Sequence, residues 1–386
     1  MATDNNNKVL NVPNLRFPEF TEEWELHRTT DYFEFKNGLN PEAKRFGYGT
    51  KFISVMDILN NRYITYDKVI SSVQLKENEL NEFGVNYGDM LFQRSSETLE
   101  DVGRANVYLD NTTAVFGGFV IRGKKIGNYN PLFFRYLLSS PNARKSIIVK
   151  GAGAQHFNIS QDGLSKVLLN VPSIQEQEKI SQLINYIDER IETQNKIIEQ
   201  LQSLIKGIYD KIFADFSEYH TLSSICKIQK GQQINGEELS ESGDYYVMNG
   251  GIEPSGFYDK YNTMPDTISI SEGGNSCGYI QFNTVPFWSG GHCYTLQGIN
   301  TEYNTHFVYH YLKSQEKEIM ALRIGSGLPN IQKKDLEKFP VPVLPLETQI
   351  RISDGINKIE TKLKQEKNML STYQTQKAYL LKNLFI

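Results

Sequence analysis

The feature that most narrows what this chain can fold into is a repeat. Shifted by 172 positions (330 − 158 = 172), residues 158–213 lie on residues 330–385 without a gap. Of the 56 aligned pairs 13 are identical, among them Asn158/Asn330, Ile159/Ile331, Leu164/Leu336, Gln177/Gln349, Ile184/Ile356 and Phe213/Phe385. Most other apolar positions stay apolar, so one supersecondary unit has been built twice. Upstream the match weakens: Tyr136-Leu137-Leu138-Ser139 resembles Tyr311-Leu312-Lys313-Ser314, and Gly151-Ala152-Gly153 resembles Gly325-Ser326-Gly327. Before that the halves diverge almost completely.

The aligned blocks read as long helices. Ile180, Ile184, Ile187, Ile191, Gln194, Ile198, Leu201, Ile205, Ile208 and Ile212 step alternately by four and three, a heptad seam. The second copy repeats it from Ile352 and Ile356 through Glu366, Tyr373 and Lys377 to Leu380 and Leu384. Ser173 and Glu176 are spaced for a capping box at the first start, and Pro345 suits the first turn of the second. Forty residues at about 1.5 Å each make a rod of roughly 60 Å. Each apolar stripe needs cover, from the other helix and from partner helices; the plainer reading is an intramolecular coiled coil that only holds the lobes together. Gln194 and Glu366, at equivalent seam positions, suit either a register-setting polar layer or a face turned to solvent.

Two segments precede the repeats, full of short alternating runs punctuated by glycine, such as Gly88-Asp89-Met90-Leu91-Phe92-Gln93 and Thr267-Ile268-Ser269-Ile270-Ser271. These are strand and turn signals. Asn130-Pro131 and Asn304-Thr305 predict N-caps of short amphipathic helices running through Leu138 and Leu312. The expected class is therefore α+β (mixed α/β): two globules joined by two long antiparallel coiled-coil helices with a pseudo-two-fold internal repeat. Residues 1–11, rich in asparagine, are expected to be a disordered tail.

Lys and Arg total 41 against 45 Asp and Glu, a net charge of −4, so any polyanion must be bound by local patches rather than a cationic coat. The three cysteines, Cys226, Cys277 and Cys293, show no C-x-x-C spacing, which fits neither a disulfide framework nor a zinc ribbon and points to a reducing cytoplasm. No signal-like start and no run of 18 apolar residues is present, so neither export nor membrane spanning is expected.

Catalytic signatures are incomplete. Gly118 to Lys125 matches G-x-x-x-x-G-K but ends in Lys where a magnesium-binding hydroxyl is needed, and reads as a strand and turn. Asn130-Pro131-Leu132-Phe133 lacks the second proline of a base-gripping N-P-P-F loop and follows no glycine-rich cofactor loop. Pro265-Asp266 with Glu272 lacks the lysine of a metal-assisted nuclease site. A metal held by Cys277, His292 and Cys293 lacks paired spacing. No catalytic residue and no metal ligand is assigned; the chain reads as a binding protein.

Two unlike heads on one duplicated rod suit an extended ligand with two recognition sites, and double-stranded DNA is the natural candidate. Cations serve phosphates, while amides and guanidinium groups serve base edges. Candidates in the first globule are Lys36 and Asn37 beside Gly38, Lys51 with Ser54, Arg94, Ser95 and Ser96, Arg104, and Lys150 with Gln155 and His156. In the second they are Lys230, Gln232 and Gln233, Asn249 with Gly251, Tyr258, Asn275 and Ser276, His292 and Arg323. Any one of them reads equally well as a solvated loop residue; the set is stronger than its members. Contacts at the two ends of a rod predict a target split by an unread spacer.

These motifs together resemble the specificity subunit of type I restriction-modification systems: Asn158-Ile159 through Val171-Pro172-Ser173-Ile174-Gln175-Glu176-Gln177, its copy Asn330-Ile331 through Pro345-Leu346-Glu347-Thr348-Gln349, both heptad helices, Arg16-Phe17-Pro18-Glu19-Phe20, and Asn249 to Gly256. The likeness covers the chain after about residue 12; Thr348 departs from the usual P-x-x-E-Q, and Lys377 in the seam implies looser packing. The resemblance implies a first target-recognition domain over 12–171, a conserved helix over 172–213, a second such domain over 214–343 and a second helix over 344–386. It further implies a non-catalytic subunit that reads a bipartite, asymmetric sequence, one half per variable domain, while the helices set the spacer and dock two modification subunits. Those methyltransferase partners would carry S-adenosylmethionine and methylate a flipped adenine at N6. Two restriction/translocase subunits would bring ATP and Mg, and no cofactor is expected in this chain. Two other readings stay open: a structural coiled-coil protein whose lobes bind protein or glycan, and a self-sufficient methyltransferase or nuclease.

Overall fold

The computed structural model describes residues 10–325, 327 and 329–386. Residues 1–9 of the expected tail, and Ser326 within the second glycine stretch, lie outside the described residues. Asn11, at the tail's end, donates from its side chain to the Trp24 carbonyl at 2.6 Å and to the Asn170 side chain at 2.9 Å.

Helix α1 spans Ile174–Ile212 and helix α2 spans Leu346–Asn383, starting where Ser173 and Pro345 predict. The Ser173 hydroxyl accepts from the Glu176 amide at 3.4 Å. The reciprocal half of the capping box is replaced: Glu176, 1% exposed, gives both carboxylate oxygens to Arg16 at 2.8 and 2.7 Å. A buried carboxylate is better matched by a two-pronged guanidinium than by one amide.

The chain divides into two compact units, Met1–Asn195 with Met369–Ile386, and Lys196–Asn368. Each unit holds one lobe and a segment of each long helix. In the first unit Ile180, Ile184 and Ile187 share a core with Leu380, Leu384 and Phe385. Arg190 reaches the Tyr373 hydroxyl at 3.3 Å and Lys377 reaches Asp188 at 2.6 Å, so the two helix segments run antiparallel. Lys377, expected to loosen the seam, is paired there with the buried Asp188 carboxylate. In the second unit Ile208 and Ile212 pack in one core with Ile352 and Ile356. Gln194 and Glu366 are both buried, and Glu366 is paired with Lys362 one turn away.

The lobes, nearly unrelated in sequence, are built on one plan. In the first, strands β1 (Phe33–Asn37), β2 (Met90–Gln93), β3 (Ala105–Val107) and β4 (Val120–Lys125) form an antiparallel sheet in the order β1-β4-β2-β3. In the second, β5 (Lys227–Lys230), β6 (Thr267–Ser271), β7 (Ile280–Asn283) and β8 (Cys293–Gln297) take the order β5-β8-β6-β7. The second order is the first advanced by four. Side strands match too: Phe52–Ile53 pair in parallel with Val115–Phe116, as Val247–Met248 do with Trp288–Ser289. Sheet order depends on backbone pairing and on apolar alternation, both of which survive near-complete replacement of side chains.

Each lobe joins its long helix by the same device. Glu25–Arg28 pairs antiparallel with Leu168–Val171 just before α1, and Tyr219–Thr221 pairs with Pro340–Pro342 just before α2. The helices Pro131–Ser139 and Thr305–Ser314 are capped by Asn130 and Asn304, each side chain accepting at 2.9 Å from the third helical amide. The repeat glutamines lock these caps: Gln177 accepts from the Asn130 amide at 3.0 Å, and Gln349 from the Asn304 amide at 2.9 Å. Among the described residues, no helix is long and apolar enough to cross a membrane.

Candidate nucleic-acid interface

In the first lobe, three of the predicted residues meet. Asn37 at the end of β1, Arg94 just after β2 and Lys150 line one open cleft of about 480 Å³ with Asn158 and Gln161. Arg94 is steered by its own backbone, whose amide donates to Phe119 at 2.9 Å while the guanidinium donates to the Gly118 carbonyl at 3.2 Å. Ser95 donates its hydroxyl to Asn158, so the repeat's first asparagine closes the cleft. His156 is exposed in the adjoining loop.

Most other candidates in this lobe are occupied elsewhere. Lys36 pairs with Glu82 at 2.9 Å and Arg104 with Asp101 at 2.6 Å. Ser54 caps the helix Val55–Asn60, its hydroxyl on Asp57 at 2.7 Å, and the Ser96 hydroxyl, buried, turns onto the Thr98 carbonyl at 2.8 Å. Lys51 lies half-buried on the strand Phe46–Ile53.

In the second lobe the centre is Glu272, just after β6, whose carboxylate is largely buried. It accepts from Lys230 at 2.6 Å and from the Tyr294 hydroxyl at 3.0 Å, and His292 Nδ1 stands 3.7 Å away. Burial, then the bond to Glu272, push the Tyr294 phenol well above its usual range. Asn249 joins this group by accepting from the His292 amide at 3.1 Å, while Gly250 at φ +84° brings the chain against His292 and Gly251 follows. A second group forms beside it: Trp288 donates to the Gln232 carbonyl at 2.9 Å and meets the Tyr258 ring edge-on at 5.1 Å, with Tyr258 on Glu238 at 3.2 Å. Asn275 and Ser276 lie on a turn, exposed and part-buried, Arg323 lies exposed beyond the helix Glu316–Ala321, and among the described residues no side-chain hydrogen bond or ion pair ties them to either group.

The shared plan makes positions comparable. Arg94 and Glu272 each follow the second sheet strand and donate their amides to Phe119 and His292 respectively; Asn37 and Lys230 end the first strand, opposite Ile121 and Tyr294. At three equivalent places, then, the lobes present different chemistry: Arg94 against Glu272, Phe119 against His292, Asn37 against Lys230. Phe119, Asn158 and Glu272 were not among the residues expected to contact DNA. A signal existed, since Gly117-Gly118-Phe119 and Gly290-Gly291-His292 lie 173 apart (290 − 117 = 173), one step from the repeat offset.

A duplicated scaffold of two long helices, carrying two lobes of one plan with unlike surfaces, defines the class of protein. The particular family follows from the sequence: the chain belongs to the type I restriction modification DNA specificity domain family, whose model matches residues 21–203 and again 216–371. A protein of Mycoplasma pneumoniae provisionally named type I specificity subunit S.MpnORF638P is 38% identical over 125 residues, 32% of this chain and 33% of that one; the match thus spans about a third of that relative's length. The Methanocaldococcus jannaschii protein provisionally named type I restriction enzyme MjaX specificity subunit is 23% identical across 92% of this chain and 90% of its own. A crystal structure of a type I restriction-modification system S subunit from M. genitalium shares the fold, with a TM-score of 0.70 and 22% identity over 97% of this chain and 99% of that one.

Proposed function

We propose that this chain is the non-catalytic DNA-recognition subunit of a type I restriction-modification complex. It reads a bipartite, asymmetric target, the domain over 12–171 taking one half-site and the domain over 214–343 the other. Helices α1 and α2 set the spacer and dock two modification subunits that carry S-adenosylmethionine and methylate adenine at N6; two restriction subunits add ATP- and Mg-dependent translocation. The observation that carries this reading is one sheet plan built twice with different side chains at matched positions. A protein that reads two unlike half-sites of one duplex needs a common frame and separate base contacts. The net charge of −4 agrees with partners that supply part of the phosphate-binding charge.

The test is methylation mapping by long-read sequencing in a host with and without the gene, its modification partner present. The expected result is one split adenine-methylated motif that depends on the gene. Exchange of residues 12–171 for a relative's should then change one half of the motif and spare the other. A chain that leaves methylation unaltered and shows no DNA footprint at any salt would be the structural or adhesive coiled-coil protein instead.

A further inference from the structure

The lobes differ where they would read bases, yet one surface feature is kept in both. Gly38 donates its amide to Val120 at 3.2 Å and Gly231 to Cys293 at 2.8 Å; the next amides, of Leu39 and Gln232, go to Phe116 and Ser289. The strand ends therefore cross a Gly-Gly corner in the same register. A Cβ on Gly38 would stand 2.0 Å from the Gly117 carbonyl oxygen, and one on Gly231 2.2 Å from that of Gly290. One residue beyond, a carboxamide lies on the second glycine of each corner. A Cβ on Gly118 would meet Asn40 Oδ1 at 1.9 Å, and a Cβ on Gly291 would meet Gln233 Oε1 at 2.3 Å.

Packing alone does not ask for an amide at these places. Asn40 and Gln233 are both exposed. The Asn40 side chain has no hydrogen-bond partner among the described residues, and Gln233 makes only a long bond to the neighbouring Ile234 carbonyl at 3.3 Å. Any residue with an apolar stem could cover a glycine, whereas both lobes present carboxamide donors. Two half-sites of different base sequence have one thing in common, the phosphate backbone, and Asn and Gln are among the side chains that bond phosphate oxygens.

We infer that Asn40 and Gln233 are matched phosphate anchors, one per half-site, which seat each lobe at the same depth on the duplex and leave base choice to the positions that differ. This rests on the DNA-reading role above. The cycle of tests uses the full chain assembled with its modification subunits, a duplex bearing its mapped motif and a second duplex of mixed sequence. Asn40→Ala and Gln233→Ala should each weaken binding to both duplexes by the same factor, about 3- to 10-fold for one lost hydrogen bond. The methylated motif should stay unchanged. The salt slope should also stay unchanged, because a neutral amide releases no counterion. Asn40→Asp, which keeps the shape over Gly118 but sets a negative charge against phosphate, should weaken binding more than Asn40→Ala. A changed base in the motif, or a loss confined to the motif duplex, would make these residues base readers and overturn the proposal; unaltered affinity would reduce them to packing. A wild-type complex that binds neither duplex would instead defeat the DNA-reading role itself.

Discussion

Two buried polar groups decide how each lobe holds the helices. In the first unit Asp188, 5% exposed, accepts from the Tyr136 hydroxyl at 2.8 Å and from Lys377 at 2.6 Å, with Arg135 and Arg62 at 3.9 and 4.0 Å. Removing one partner of such a network leaves uncompensated buried charge. Asp188→Asn should lower the stability of the chain by about 3 kcal/mol in urea unfolding, and Lys377→Met, at the more exposed edge, by under about 1 kcal/mol; equal losses would show that the cations hold themselves. In the second unit the equivalent carboxylate, Glu360 (188 + 172), faces His310 and Tyr209. His310 is fully buried, its Nδ1 3.0 Å from the Tyr209 hydroxyl and its Nε2 2.8 Å from Asn357 Oδ1. Burial pulls its pKa down to about 4. A depressed histidine stabilises the fold above its unfolded value, and that stability is lost as pH falls from about 6.5 towards 4, by at most about 3 kcal/mol. Glu360, raised by burial, works in the opposite sense. Unfolding midpoints at pH 7 and pH 5 should therefore separate, and the separation should shrink in His310→Gln; an undiminished gap would place the titration elsewhere.

At the scale of elements, the strand corner is the least forgiving part of each lobe. With the Gly117 carbonyl 2.0 Å from where a Cβ of Gly38 would stand, Gly38→Ala must push backbone apart and should cost about 1 to 3 kcal/mol. Gly236→Ala, where a Cβ meets nothing within 4 Å, is the matched control and should change the unfolding midpoint little. The elements most legible in the sequence were those whose signal is local. The heptad spacing, Ser173, Pro345 and the two cap asparagines placed α1, α2 and both short helices, because a helix is written in residues three and four apart. The sheets were legible only as scattered strand signals. Their pairing joins residues as distant as Asn37 and Ile121, and nothing in either stretch alone names its partner.

For the whole molecule, the duplicated helices make a specific claim about length. Inserting seven residues in α1 after Asn195 and seven in α2 after Asn368 keeps the seam in phase and lengthens the helix pair by about 10 Å at 1.5 Å per residue. Methylation mapping of that variant should return the same half-sites with a spacer longer by about three base pairs, at about 3.4 Å per step; an unchanged spacer would show that the helices are not the ruler. The duplication, the two long helices and the family likeness were settled by sequence alone, since identity at a fixed offset and heptad spacing need no knowledge of what touches what. That the unlike halves are one sheet plan, that Lys377 is neutralised by Asp188, and that Asn40 and Gln233 occupy one place in two lobes were decided by tertiary structure. Backbone pairing joins Phe33 to Lys125 and buried charge joins Asp188 to Lys377, relations across long stretches of chain that composition, spacing and local propensity do not record.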